Sequence, residues 1–142
     1  MAKFDALKLE NQLCFPLYAA SREMIKKYKP YLDKIGLTYT QYIAMIVMWE
    51  TGKINVKDLG ERLFLDSGTL TPLLKSLEKK GLITRTRDKD DRRVLNVELT
   101  DKGEKLKEKA IEIPYQMGGC IRLEKSEAEA LQKILNKLLS QE

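Results

Sequence analysis

Asp66-Ser-Gly-Thr-Leu-Thr-Pro-Leu-Leu-Lys75, followed by Lys79-Lys-Gly81 and then by Arg85-Thr-Arg87-Asp-Lys-Asp-Asp-Arg-Arg93, decides the fold of this chain. Leu70, Leu73, Leu74 and Leu77 recur at helical spacing, so a helix beginning near Asp66 or Ser67 turns them inward and leaves Ser67, Thr69, Thr71 and Lys75 outside. Pro72 lacks an N–H, which sets the expectation that it lies in or near the first turn. Gly81 is placed to close the helix as a left-handed C-cap. Beyond it, residues 82–87 and 94–99 alternate like paired strands, with Asp88 to Arg93 as the loop between them.

Working outward, Gly52 turns the chain, and Asn55 with Asp58 resembles a capping box opening a short helix from Val56 to Phe64, with Leu59 and Leu63 inward. Two short helices joined by a tight corner form a helix-turn-helix. Thr38 can cap a helix from Tyr39 to Glu50 that is apolar on nearly every face and belongs at the centre of the core. Residues 7–28 carry Leu7, Cys14, Leu17, Met24 and Tyr28 at steps of seven, three, seven and four residues, a helix with one apolar seam that Pro30 breaks or kinks. After Thr100, Leu106, Ala110 and Ile113 lead to Pro114, the pair Gly118-Gly119 suggests a break, and Ala128 to Leu139 is amphipathic. The expected fold is mostly α with a small β-wing: a winged helix-turn-helix at about 37–100, with N- and C-terminal helices at about 1–36 and 101–142 forming a dimerisation platform. All of it makes a single domain, 1–142. The alternative for the terminal helices is a bundle within one chain.

Charge gathers where the hairpin is. Residues 75–93 hold eight basic side chains against four acidic ones, a net +4 of the chain's +5. A phosphate backbone suits such a local excess, because neutralising it releases condensed counterions. A solvated lysine-rich face is the plainer alternative. The composition, 43% hydrophobic and 33% charged over 142 residues, is that of an ordinary helix-rich domain, and no apolar run reaches membrane-spanning length. The first residues lack the pattern of a signal peptide, so a cytoplasmic, reducing setting is expected, with Cys14 and Cys120 as thiols. The chain has no histidine, which removes histidine triads, cysteine–histidine dyads and the usual zinc sites. Two cysteines 106 positions apart make no metal cluster by themselves, and no cofactor is expected.

The segment Leu65-Asp-Ser-Gly-Thr-Leu-Thr-Pro-Leu-Leu-Lys75, the Asp91-Arg-Arg93 loop and the exit Leu99-Thr-Asp-Lys-Gly103 resemble the MarR family of dimeric repressors. Leu9-Glu-Asn-Gln-Leu-Cys-Phe15 and Leu37-Thr-Tyr-Thr-Gln-Tyr42 resemble its organic-hydroperoxide-sensing branch. The resemblance covers nearly the whole chain and is weakest after Ile113. It implies a homodimer on double-stranded DNA, one helix in the major groove of each half of a pseudo-palindromic operator and a wing in the adjacent minor groove. Asp66, Ser67, Thr69 and Thr71 would then face bases or phosphates, and Lys75, Arg85 and Arg87 would take phosphates. Arg93 would enter the minor groove with its guanidinium held by Asp91, since a narrow groove concentrates negative potential. A surface ion pair is the alternative for Asp91 and Arg93.

Judged from the residues alone, Cys14 on an apolar seam reads as a buried, inert thiol. The resemblance gives it another role. Tyr18 lies four residues on, and Tyr28 and Tyr39 match positions that in this branch reach the sensing thiolate from the partner subunit; phenolic O–H donors stabilise a thiolate. The alternative for all three is core filling. The implied mechanism is oxidation of Cys14 by organic hydroperoxide to a sulfenic acid, condensation with a second thiol, and release of the repressor from DNA. The second thiol is Cys120 of the other subunit or a low-molecular-weight thiol, and a nonreactive Cys120 in the bundle is the alternative. Two other functions stay open: a MarR-type repressor relieved by a phenolic or aromatic ligand, and a thiol peroxidase using Cys14. A winged helix serving only protein interaction is a third. Among these the chain is read as a regulator and not an enzyme.

Overall fold

The computed structural model describes residues 2–141. Met1 and Glu142, the outer limits of the expected domain, lie outside the described residues. Helices α1 (Cys14–Asp33) and α2 (Tyr39–Thr51) lead to β1 (Lys53–Asn55), α3 (Val56–Leu63), α4 (Ser67–Lys79), the hairpin β2 (Ile83–Arg87) and β3 (Leu95–Leu99), and then α5 (Asp101–Ala110), α6 (Ile113–Cys120) and α7 (Lys125–Leu139). The strands form one antiparallel sheet in the order β1-β3-β2. Three helices backed by this small sheet are a winged helix-turn-helix.

The core follows the hydrophobic pattern. Leu70, Leu73, Leu74 and Leu77 of α4 are buried against Met45 and Met48 of α2, Leu59 of α3, and Ile83 and Val97 of the sheet. Helix α2 opens with a complete capping box: Thr38 Oγ1 accepts from Gln41 N at 3.3 Å and Thr38 N donates to Gln41 Oε1 at 3.0 Å. Gly81, at φ +78°, closes α4 as expected, with Gly81 N bonded to Glu78 O and Leu82 N to Leu77 O. Gly103 is where α5 presses on the wing, since a Cβ there would stand 2.3 Å from Leu82 O.

Several expectations needed correction. The first helix begins at Cys14, not Leu7: residues 5–7 and 9–11 are single 3-10 turns. Asn11 Nδ2 bonds Asp5 O at 2.7 Å and Gln12 Nε2 bonds Ala6 O at 2.7 Å, so side-chain amides take carbonyls that a continuing helix would need. Pro30 does not end α1, which runs on to Asp33. The carbonyl it leaves without a donor, that of Lys26, lies on an exposed stretch where water serves it. Pro72 is the sixth residue of α4, beyond the first turn, and is tolerated for the same reason, because it and Gly68 are exposed. Asn55 caps α3 through Oδ1 to Asp58 N at 2.8 Å, but Asp58 answers the Asn55 side chain and not its backbone, which belongs to β1. The strand β1 was not foreseen, being three residues long. Gly118 and Gly119 make no break; they lie inside α6, which Ile113 and Met117 anchor by burial.

The terminal helices are poorly covered by their own chain. On α1, Phe15, Leu17, Tyr18 and Ile25 are exposed, and α7 has no buried residue although it carries Leu131, Ile134, Leu138 and Leu139. Amphipathic helices with bare apolar faces fit an intersubunit platform better than an internal bundle. Among the described residues no helix is long and apolar enough to cross a membrane.

Candidate functional site

The outward face of α4 and the wing form one continuous polar surface. Ser67, Thr69, Thr71 and Lys75 are all exposed on it. Asp66, also exposed, is the N-cap, its Oδ1 accepting from Thr69 N at 2.8 Å, and the bonds from Thr69 hold its carboxyl below the usual range. Arg85 is committed. Its side chain is only 20% exposed and its Nη2 stands 3.1 Å from Glu78 Oε1, while its backbone N donates to Glu78 Oε2 at 3.2 Å. This pair braces β2 against α4, and the Arg85 bonds depress the Glu78 carboxyl. Glu78 was not singled out in the sequence, since an acid within a basic run signals nothing by itself.

The wing tip is built by two aspartates. Asp88 accepts from Asn96 Nδ2 at 3.0 Å and from the backbone N of Asp90 and of Asp91, each at 3.1 Å, which holds its carboxyl down and folds the loop. This organising role was missed, though aspartate starting a loop is a turn signal. Asp91 grips Arg93 with both oxygens, Oδ1 to Nε at 3.0 Å and Oδ2 to Nη2 at 3.1 Å, and the Arg93 side chain is 91% exposed. Its carboxyl is lowered chiefly by that fork. The result is a guanidinium held stiffly and presented to solvent at the tip, with Arg87 exposed beside it and its Nη1 3.5 Å from Arg93 O.

The residues expected to sense peroxide lie on α1 and at the start of α2. Cys14 is exposed in the first turn of α1, not buried in a seam. Tyr18 is exposed one turn on, its hydroxyl taking a 3.3 Å bond from Arg22. Tyr28 and Tyr39 lie together, ring centroids 5.0 Å apart edge to face, with Tyr42 5.8 Å from Tyr28. Burial raises all three phenols, Tyr42 to about 12, so each keeps its O–H as a donor. Cys14 and Tyr28 are fourteen residues apart on one helix, about 21 Å by helical rise. Within one subunit the tyrosine cluster therefore does not meet the thiol.

Cys120, half-buried at the end of α6, has its Sγ 3.2 Å from the Tyr31 hydroxyl, and that contact raises the Tyr31 phenol. Tyr31 stands about 26 Å along α1 from Cys14. A disulfide needs Cα atoms within about 7 Å, so the two cysteines of one chain cannot join in this fold. An open groove of about 390 Å³ lies between α2 and the α5–α6 corner, lined by Tyr42, Ile46, Trp49, Ala110, Ile111 and Pro114 and by the charged Glu50 and Lys107.

Comparison with known proteins places this geometry. The family described as transcriptional regulator SarA/Rot matches residues 26–110. The organic hydroperoxide resistance transcriptional regulator of Bacillus subtilis (strain 168) is 53% identical over 136 residues, 96% of this chain and 90% of that protein. The chain belongs to the MarR family, in its organic-hydroperoxide-resistance branch. Among solved structures, reduced AbfR bound to DNA, a Staphylococcus epidermidis protein, superposes with a TM-score of 0.81 at 34% identity, covering 96% of this chain and 94% of that one. The disulfide-formed AbfR, also 34% identical and covering 97% of each chain, gives 0.66. The overoxidised AbfR bound to DNA, 35% identical and covering 96% of this chain and 99% of that one, gives 0.75.

Proposed function

We propose that this protein is a homodimeric, sequence-specific DNA-binding repressor that leaves its operator when organic hydroperoxide oxidises Cys14. The observation that carries the reading is the pairing, in one chain, of an exposed thiol at the start of α1 with a winged helix whose recognition face and wing tip are bare. The likeness to a hydroperoxide resistance regulator supports the trigger. The likeness to AbfR, solved in complex with DNA, supports the DNA-binding part of the reading.

The dimer divides the labour: residues of about 1–36 and 101–142 join the subunits, and about 37–100 bind DNA. Ser67, Thr69 and Thr71 meet the major groove, Lys75 and Arg87 meet phosphates, and Arg93, aimed by Asp91, enters the minor groove. Asp66 and Arg85 serve the interface indirectly, one by starting the recognition helix and the other by tying the wing to it. At the sensor, Tyr28 and Tyr39 come from the partner to the Cys14 thiolate, with Tyr18 from its own helix.

Cys14 thiolate attacks a peroxide oxygen. The S–O bond forms as the O–O bond breaks, the alkoxide leaves and takes a proton to become an alcohol, and the sulfur becomes a sulfenic acid. A second thiol then attacks that sulfur, giving a disulfide and water. The second thiol is Cys120 of the other subunit or a low-molecular-weight thiol, since the distance along α1 rules out Cys120 of the same chain. Such chemistry belongs in a reducing cytoplasm, where the thiol is restored.

The regulator reading predicts stoichiometric chemistry. Without added reductant, each Cys14 should consume one equivalent of cumene hydroperoxide and then stop, read by mass as one added oxygen atom, one adduct of an added monothiol, or a disulfide with Cys120 of the other subunit. Sustained, protein-dependent peroxide consumption would instead make this a thiol peroxidase.

A further inference from the structure

Only two stretches connect the platform helices to the DNA-binding unit: the α1–α2 turn at Gly36 and the β3–α5 junction at Thr100 to Gly103. Both are fastened to the same place, the C-terminal end of recognition helix α4. Lys80 reaches from that end with its side chain, Nζ donating to the carbonyl of Gly36 and, at 3.0 Å, to Gln41 Oε1. Gln41 Nε2 in turn donates to Ser76 Oγ of α4 at 2.6 Å. From the other side, Lys102 Nζ donates to the backbone carbonyl of Lys80 at 2.8 Å, and Thr100 Oγ1 to that of Gly81 at 2.7 Å. One residue thus holds one connection through its ammonium and the other through its carbonyl.

These bonds are well placed to carry force. Gln41 is buried and its bond from Lys80 is partly so, which shields that bond from water, while the Lys80 bond to the Gly36 carbonyl lies at the exposed edge. Gly36 stands at φ +70° at the end of α1, and Gly36 N and Leu37 N bond back to Asp33 and Leu32, so a shift of α1 moves its carbonyl directly. At the junction on the other side, Gly103 lies against the Leu82 backbone and its carbonyl accepts the Trp49 indole N–H at 2.9 Å, so α5, α2 and the start of β2 are in register there.

Resting on the redox reading above, we infer that Lys80 is a positioning residue that transmits movement of the platform to the recognition helix. Oxidation at Cys14 displaces α1 and its partner-contributed neighbours. The α1–α2 turn then drags the end of α4 through Lys80, and the spacing of the two recognition helices changes. Without the ammonium, the turn moves and α4 stays where DNA holds it.

The test uses the full-length dimer and a duplex selected from a random pool by reduced wild type. Its Kd is measured before and after cumene hydroperoxide, with Cys14 oxidation followed by mass. The ratio of the two Kd values is the readout, because a uniform loss of positive charge cancels in it. Wild type should give a ratio in the ordinary range of allosteric coupling, roughly 5- to 150-fold. Lys80→Met should be oxidised equally fast yet have that ratio cut by about 2- to 30-fold, and Lys80→Arg should restore it. Lys102→Met cuts the opposite tie at an exposed residue, so it folds regardless and should also lower the ratio. Wild-type ratios in both Met variants would overturn the coupling role while leaving the redox reading intact. No release of wild type by oxidant would overturn both.

Discussion

Arg93 carries the sharpest expectation at the scale of single residues. Its guanidinium is fixed by Asp91 and points into solvent, an arrangement that does little for the fold and suits insertion into a narrow groove. Arg93→Ala should weaken DNA binding about tenfold or more by fluorescence anisotropy, with the thermal midpoint near that of wild type. A matching loss of stability would mean the pair is a structural brace. The Asp91–Arg93 pair was legible because it lies in a short loop between two strands. The Arg85–Glu78 pair was not, because it spans a helix and a strand whose approach is set by packing. Cys14 shows a related limit. Its helical spacing with Leu17 and Met24 suggested burial, yet the face it shares is the one the chain leaves bare.

At the scale of elements, the recognition helix and the wing are both organised by ionised carboxylates. Asp66 caps α4, Glu78 ties β2 to it, and Asp88 and Asp91 shape the loop; hydrogen bonds to the charged form lower all four. A group depressed in the folded state stabilises that state above its unfolded pKa and loses the effect as pH falls through its folded one. Stability should therefore hold from neutral pH down to about 4 and decline below it as the carboxylates protonate. Thermal melts across that range check this, and in Asp66→Asn, whose side chain still caps, the decline should be shallower. A decline centred near pH 6 would contradict it. Helix α4 could be bounded from sequence because cap, leucine spacing and Gly81 agreed. At Pro72 the sequence misled, and at Pro30 the break did not occur, since a proline's cost depends on whether the carbonyl it orphans faces water, which only the folded chain decides.

For the whole molecule, the winged unit was written plainly in residues 37–100, while the platform was visible only as amphipathic helices lacking a partner. That is a physical limit: α1 and α7 leave much of their apolar surface exposed in their own subunit, and the proposed platform would cover it with another chain. The sensor has the same character, with the tyrosine cluster about 21 Å from the thiol it would serve unless a partner brings it close. On the proposed reading, sensing, dimerisation and DNA binding form one mechanical system, with the thiol and the recognition helix joined across the subunit boundary. The most direct measurement is the affinity of the reduced dimer for a duplex from its own upstream region, repeated after one equivalent of organic hydroperoxide per Cys14, in wild type and in Cys14→Ser. Both proteins should bind when reduced, and only wild type should let go on oxidation. Release of Cys14→Ser by the same dose, or retention of fully oxidised wild type, would contradict the account.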